Sequence, residues 1–200
     1  MKTIKISMIM LVMITLTVLT HSQSRYQLIS NHLLLAKSAE VMMAEVGIIE
    51  TDNNSGERIR LYQLSVGLPD HSPYCAAGQY FSFSEAAKQM GSTCNVIPIP
   101  RTGLANSVYN YAKSEGRKKH YSASVNDLII WRKYNRNHGH IERVISRSAG
   151  GWVQTVGFNS TLMINSKKVE GVFIQSRNIF HPIGKLRIRG LVGFIGKEIK

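Results

Sequence analysis

Acidic residues are scarce in this chain, and cysteine is scarcer still. Its 200 residues contain 12 Asp and Glu against 25 Lys and Arg, which gives a formal charge of +13. A basic surface of this kind favours polyanions: nucleic acid, anionic lipid headgroups or an acidic wall polymer. The sequence also lacks an internal repeat and a low-complexity linker, and its length suits a single domain.

A long hydrophobic run is missing as well. Two lysines precede an apolar run from Ile6 to about Leu19, and small polar residues follow it. This is the layout of a secretory signal peptide, since a membrane-spanning helix needs about 20 apolar residues. No cysteine lies near the expected cleavage point, which argues against a lipoprotein. We therefore expect residues 1–22 to be a signal peptide and residues 23–200 to form one secreted or periplasmic domain; an uncleaved anchor is the alternative.

Helices are predicted in the first half of the exported part and strands in the second. Helical periodicity and glycine stops predict helices over residues 26–47, 57–67, 75–91 and 102–116. β-like runs separated by turn residues predict strands over residues 127–133, 140–146, 152–159, 168–176 and 185–195. Helices followed by strands with hairpin-length connections indicate an α+β domain, with an antiparallel sheet or a partly closed barrel.

The two cysteines first suggest a disulfide, because the chain is expected to be exported. A helix over residues 75–90 is about 22 Å long. Cys94 lies four residues beyond it, and four extended residues cover only about 14 Å. A disulfide requires Cα atoms within about 7 Å, so a bridge from Cys75 to Cys94 would break the helix. A thiol at a helix start can instead be a thiolate nucleophile. For a cysteine taken alone a buried structural role is favoured, and a partner base would reverse that preference.

A base for this thiol is predicted at His140. His138 and His140 flank Gly139 at the entry to a predicted strand, where an imidazole would point into a cleft. A hairpin over residues 140–159 would bring Asn159, at the end of the next strand, close to His140. Cysteine, histidine and asparagine in this order form the constellation of a thiol hydrolase, in which the third residue orients the imidazole.

Residues from about 44 to 160 resemble the CHAP family of cysteine amidases and peptidases, within the NlpC-like, papain-like group. Four segments carry the resemblance in family order: the lead-in helix with its "GLPDHSPYCAA" continuation, "NDLIIW", "HGHIERV" and "TVGFNST". The resemblance implies a papain-like α+β fold, with the nucleophile helix packed on the sheet. It also implies a Cys75–His140–Asn159 site that cuts an amide bond of peptidoglycan through an acyl-enzyme.

Further expectations complete this interpretation. Tyr74, Gln79 and Trp131 are expected to bind the oxyanion or the substrate. We expect no metal and no other cofactor. The expected substrate is peptidoglycan or a muropeptide and not nucleic acid. We also expect contact with an anionic wall or membrane surface, and a monomer. The sequence departs from the family at Gly157, where many members carry a glutamate two residues before the asparagine.

Other functions remain open from the sequence alone. The histidine pair His138 and His140 resembles a zinc-binding His-x-His pair, which suggests a zinc peptidase. The basic runs "RKKH", "WRKYNR" and "KLRIR" suit a non-enzymatic module that docks on the wall or on lipid, although solvated basic faces explain them equally. An inactive relative of the family and a transacylase of the same fold are further alternatives.

Overall fold

A computed structural model describes residues 23–134 and 136–197. The predicted signal peptide at residues 1–22 lies outside the described residues. In chain order the helices and strands are β1 (Ser24–Asn31), α1 (His32–Ala44), α2 (Glu57–Ser65), α3 (Cys75–Gln89), α4 (Ala105–Glu115), β2 (Arg117–Lys119), β3 (Leu128–Arg132), β4 (Gly139–Arg147), β5 (Trp152–Ile164), β6 (Lys167–Asn178) and β7 (Arg187–Lys197). None of these helices is long and apolar enough to span a membrane.

The seven strands form one mixed sheet in the order β2-β1-β7-β3-β4-β5-β6. Strands β1 and β7 run parallel, and each other neighbouring pair in this order is antiparallel. The predicted α+β class is confirmed. The expectation of a wholly antiparallel sheet is wrong for the β1–β7 pair, because a segment from the start of the described chain lies between β2 and β7 and runs parallel to β7.

The first predicted helix is wrong over its first turns. The prediction began it near residue 26, but residues 24–31 form β1, which pairs with β7 along its whole length. Asn31 ends the strand and caps the helix, since its side chain accepts hydrogen bonds from the N–H groups of Leu33 and Leu34. Pairing with a distant strand therefore overrides the local helical pattern.

Three smaller boundaries also differ from the prediction. The basic turn after α4 contains the short edge strand β2. Helix α4 begins at Ala105 rather than at Thr102, whose hydroxyl accepts a hydrogen bond from the N–H of Leu104. The stretch over residues 159–166, predicted as a turn between the strands at 152–159 and 168–176, is mostly strand. Strands β5 and β6 continue to a tight turn at Asn165 and Ser166, both at positive φ.

Helix α3 packs closely on the sheet, where it contacts β4 and β5. Gly78 permits this contact: a Cβ atom there would lie 2.1 Å from Cγ of Phe158 on β5. Phe158 is fully buried and packs edge-on against Tyr62 of α2. The small residues after Cys75 therefore let the start of α3 approach the strand that follows β4, as the sequence suggests.

We expect Gly78→Ala to destabilise the protein by about 2 kcal/mol, because the cost of overpacking exceeds the gain in helix propensity. Urea denaturation would measure the loss. The double variant Gly78→Ala/Phe158→Leu should lose less than the sum of the two single changes, since leucine vacates the space of the ring. Strict additivity would show that Phe158 is not the residue that excludes a side chain at position 78.

Candidate active site

Cys75 is the first residue of α3 and lies where that helix meets β4. Its Sγ is 4.0 Å from the carbonyl oxygen of Gly139, the first residue of β4. The residue is only 5% exposed. Within the described residues, no side chain caps the start of α3. The N–H groups of the first turn and the positive end of the helix dipole therefore lie beside the thiol.

Both cysteines are free thiols. Cys75 is buried, and Cys94 is exposed in a short 3-10 helix beyond the end of α3. The intact α3 from Cys75 to Gln89 separates them along the chain, as the disulfide argument required. The two thiols therefore differ in setting: one lies against the strand that carries His140, and the other faces solvent.

The structure brings His140 beside Cys75, and the interaction with this thiol is one of the causes that raise the pKa of the imidazole. The Nε2 atom of the imidazole lies 3.0 Å from Oε1 of Glu142, so Nδ1 is the ring nitrogen that this carboxylate does not hold. Burial alone would lower the pKa of His140. The hydrogen bonds to Cys75 and Glu142, together with the charges of these groups, outweigh burial and raise the pKa to about 10. This setting favours the imidazolium at neutral pH.

Glu142 is the third member of the site, and the sequence reasoning missed it. Its fully buried carboxylate accepts hydrogen bonds from the hydroxyl of Thr155, at 2.6 Å, and from Arg177 Nε and Nη2, at 2.9 and 2.7 Å. Burial alone would raise the pKa of Glu142, but His140 and Arg177 outweigh it and lower the pKa to about 2. The signal was present in "HIE", since residues two apart on a strand share a face.

Gly157 provides the space that Glu142 occupies. The two residues are ladder partners on β5 and β4. A Cβ atom at position 157 would lie 2.9 Å from Cγ of Glu142 and 2.2 Å from Oγ of Ser160. The glycine that departs from the family pattern therefore faces the carboxylate that holds His140.

The opposite pKa shifts of these two residues make stability depend on pH. The contribution of Glu142 is complete above its ordinary pKa of 4.5 and is lost as the pH falls through about 2. That of His140 is complete below its ordinary pKa of 6.5 and is lost as the pH rises through about 10.

We therefore expect the wild-type protein to lose its stability advantage over a Glu142→Gln variant at low pH. The difference in their free energies of unfolding should shrink by about 3 kcal/mol between about pH 5 and about pH 2, because only the wild type takes up the extra proton on unfolding. Urea denaturation at each pH measures it. A difference that stays constant across this range would contradict a depressed pKa at Glu142.

Asn159 does not take the role that the sequence suggested. It lies at an irregularity of the β5–β6 ladder with φ +54°. Its amide nitrogen donates to Oε1 of Glu50, at 3.1 Å, and to Oδ1 of Asn54, at 2.8 Å. The extra residues of the bulge turn the side chain towards the loop after α1, and the carboxylate of Glu142 holds the imidazole instead.

Tyr74 belongs to the same network as Asn159. Its buried hydroxyl donates a hydrogen bond to Oε1 of Glu50, at 2.9 Å, and it interacts with the backbone of Asn159. Burial and the carboxylate of Glu50 raise the pKa of Tyr74. Because its proton is engaged by Glu50, the structure does not offer this hydroxyl as an oxyanion donor. It fixes the loop before Cys75 instead.

Gln79 and Trp131 are both fully buried and are not placed to touch a substrate. Gln79 Nε2 donates to the carbonyl of Val156 at 3.5 Å, so this side chain faces the sheet. The indole of Trp131 packs beside His140, with ring centroids 6.2 Å apart, and its Nε1 donates to the carbonyl of His181. Trp131 therefore supports the imidazole from the neighbouring strand.

The two histidines of the zinc hypothesis lie in different environments. His138 is exposed in the turn before β4, whereas His140 contacts Cys75 and Glu142. Among residues 23–134 and 136–197, no group of three or more His, Cys, Asp or Glu side chains is arranged to hold a metal ion. The contacts of His140 are those of a base in a thiol–imidazole–carboxylate chain.

The protein was compared with family models, curated proteins and solved structures. No family model, no curated protein and no solved structure matches it. A function for the protein therefore rests on its own residues: a thiol at a helix start, an imidazole beside that thiol, and a buried carboxylate that holds the imidazole.

Proposed function

We propose that this protein is a papain-like cysteine amidase or endopeptidase that hydrolyses an amide bond of peptidoglycan. The observation that carries the proposal is that His140 lies beside Cys75 and is hydrogen-bonded through Nε2 to the buried Glu142. A nucleophile, a base and a group that orients the base are the three parts that such chemistry needs. The third part differs from the expected Asn159, but its role is the same.

In the proposed first step, Sγ of Cys75 attacks the carbonyl carbon of the scissile amide and forms a C–S bond. The N–H groups at the start of α3, that of Cys75 among them, stabilise the oxyanion. The imidazolium of His140 then gives its proton to the amide nitrogen, the C–N bond breaks, and the amine leaves. Glu142 acts as a positioning residue, since it holds Nε2 and not Nδ1.

The second step regenerates the thiol. His140, now neutral, takes a proton from water as the water oxygen attacks the thioester carbon. The C–S bond breaks, the carboxylic acid leaves, and the proton on His140 again pairs with the thiolate. Water thus supplies the hydroxyl of the product acid, and its proton replaces the one that His140 gave to the amine in the first step.

The choice of peptidoglycan rests on the CHAP-like motifs around Cys75 and His140, on the signal-peptide pattern of residues 1–22 and on the basic composition. An exported basic hydrolase meets an anionic wall as its nearest polymer. We propose that the protein acts there as a monomer, without a metal or another cofactor.

Incubation with purified peptidoglycan tests this function, with mass spectrometry of the released fragments. We expect new amine and carboxyl termini at one amide position. Prior treatment with iodoacetamide should abolish this cleavage, and EDTA should leave it unchanged. Loss in EDTA with no loss after alkylation would favour the zinc alternative. If the untreated protein bound peptidoglycan but left it uncleaved, the result would favour a non-catalytic wall-binding module.

A further inference from the structure

Two basic runs that are far apart in the sequence meet beside the active centre. Arg132 ends β3, and its ladder partners are Gly139 on β4 and Arg187 on β7. The turn after β3 and the start of β7 bring five cations to this end of the sheet, here called the basic cluster: Arg132, Lys133, Arg136, Arg187 and Arg189. The pairing of β3 with β7 therefore joins the runs "WRKYNR" and "KLRIR" into one surface.

The basic cluster adjoins the thiol. Gly139, the partner of Arg132 on β4, places its carbonyl oxygen 4.0 Å from Sγ of Cys75. The next ladder pair along joins Trp131 to His140. Paired Cα atoms in an antiparallel ladder lie about 5 Å apart. Arg132 is therefore across the ladder from Gly139, the residue that directly precedes the proposed base His140.

The positive charge of the basic cluster is not neutralised within the described part of the chain. None of its members forms an ion pair with a carboxylate there. Arg187 lies over the ring of Tyr134 at 6.0 Å, and Arg132 is exposed. Exposed guanidinium groups without a carboxylate are free to take one from a ligand.

Arg189 is held in place by neutral groups. Its Nη1 donates to the carbonyl and to Oδ1 of Asn106, at 2.9 and 2.7 Å, and its guanidinium lies 4.6 Å from the centre of the Tyr109 ring. Asn106 in turn donates to the carbonyl of Asn137 in the turn before β4. Burial and the nearby charge of Arg132 lower the pKa of Arg189. Helix α4 thus fixes the cluster against the strand entry that carries His140.

We propose that the basic cluster is an anion subsite of the active centre, which binds a carboxylate that the substrate carries near its scissile amide bond. This inference deepens the proposed function and rests on it for the nature of the substrate. A planar guanidinium binds a carboxylate through two parallel hydrogen bonds, and two arginines on paired strands present two such groups to one ligand. The subsite selects amides with a free acid beside the bond that is cut.

Two alkylating reagents of different charge test the subsite without any assumption about the natural substrate. In Cys94→Ala protein, Cys75 is the single thiol, and its rates with iodoacetate and with iodoacetamide can be compared directly. Removing two charges with Arg132→Gln/Arg187→Gln should lower the ratio of the anionic to the neutral rate about fivefold at low salt. Added salt should lower the wild-type ratio in the same direction.

The matched control is Lys118→Gln/Lys119→Gln, which removes two exposed cations from the edge strand β2, three strands away from β3. Its ratio should stay within about twofold of the parent, since screening weakens charges at that distance. An unchanged ratio in the Arg132/Arg187 variant overturns the subsite. An equal fall in the control also overturns it, because the effect would then belong to net charge.

A second measurement links the subsite to the substrate. Muropeptides with a free carboxylate next to the cleaved amide should have a KM about tenfold lower than their amidated counterparts, and Arg132→Gln/Arg187→Gln should remove this preference. Equal KM values for both substrates overturn the assignment of a substrate carboxylate. If no muropeptide is cleaved at all, the proposed function fails, and the alkylation ratio still decides whether Cys75 lies beside an anion subsite.

Discussion

Cys75→Ala protein is expected to lose its hydrolytic activity, with kcat falling by about 10⁴-fold or more. In the proposed mechanism the thiol forms the bond of the acyl-enzyme, and neither the oxyanion donors of α3 nor the imidazole of His140 can replace it. The change removes one buried sulfur atom from a packed helix start, so the fold should survive. Release of fragments from peptidoglycan measures the activity, and thermal unfolding checks the fold.

Cys94→Ala is the matched control, because the same atoms are removed from an exposed site. This variant should release fragments at the wild-type rate and should still be inactivated by iodoacetamide. The assignment of the nucleophile would be wrong if Cys94→Ala were inactive while Cys75→Ala cleaved peptidoglycan normally.

Glu142→Gln should lower kcat/KM by about 10²- to 10⁴-fold, although the amide has almost the same shape as the carboxylate. An amide does not stabilise the imidazolium of His140, and it also presents an NH₂ group to Arg177, which lies 2.7 Å from Oε1. The pKa of His140 should fall from about 10 towards its ordinary value. The alkaline limb of the pH–rate profile, which marks loss of the general acid, should move to lower pH with it.

A general loss of stability would not account for this result. The partly buried Arg177, whose side chain is 21% exposed, loses its partner in Glu142→Gln, which itself destabilises the fold by about 3 kcal/mol. The double variant Glu142→Gln/Arg177→Gln removes the unpaired charge, so it should regain stability without regaining activity. Asn159→Ala is the second comparison, because its amide contacts Glu50 and Asn54. An alkaline limb that moves in Asn159→Ala and not in Glu142→Gln would restore asparagine to the third role.

Local patterns in the sequence predict much of this fold. The glycine stops and the apolar stripe place α3 and its first residue, Cys75, and alternation places the cores of β3 to β7. The errors occur where the partner is distant. Residues 24–31 form a strand because β7, more than 150 residues later, pairs with them. No local property of "YQLISN" distinguishes that outcome from a first helical turn.

The site shows the same division between local and distant information. The types of Cys75 and His140, and their places at a helix start and a strand start, were sufficient to pair them. The third residue depended on ladder register, since Glu142 and Gly157 face each other only after β4 and β5 are aligned. The bulge after Gly157, which turns Asn159 towards Glu50, has no sequence signal that we could recognise. The basic cluster likewise required the pairing of β3 with β7.

Positions 142 and 157 face each other across β4 and β5, so either strand could carry the carboxylate that orients the imidazole. A glutamate on β4 opposite a glycine on β5 fills the same volume as a glutamate on β5 opposite a small residue on β4. Both arrangements place one carboxylate at the same site, provided that the residues at positions 142 and 157 change together. A search by motif order would separate proteins that a search for this cross-strand pair would group together.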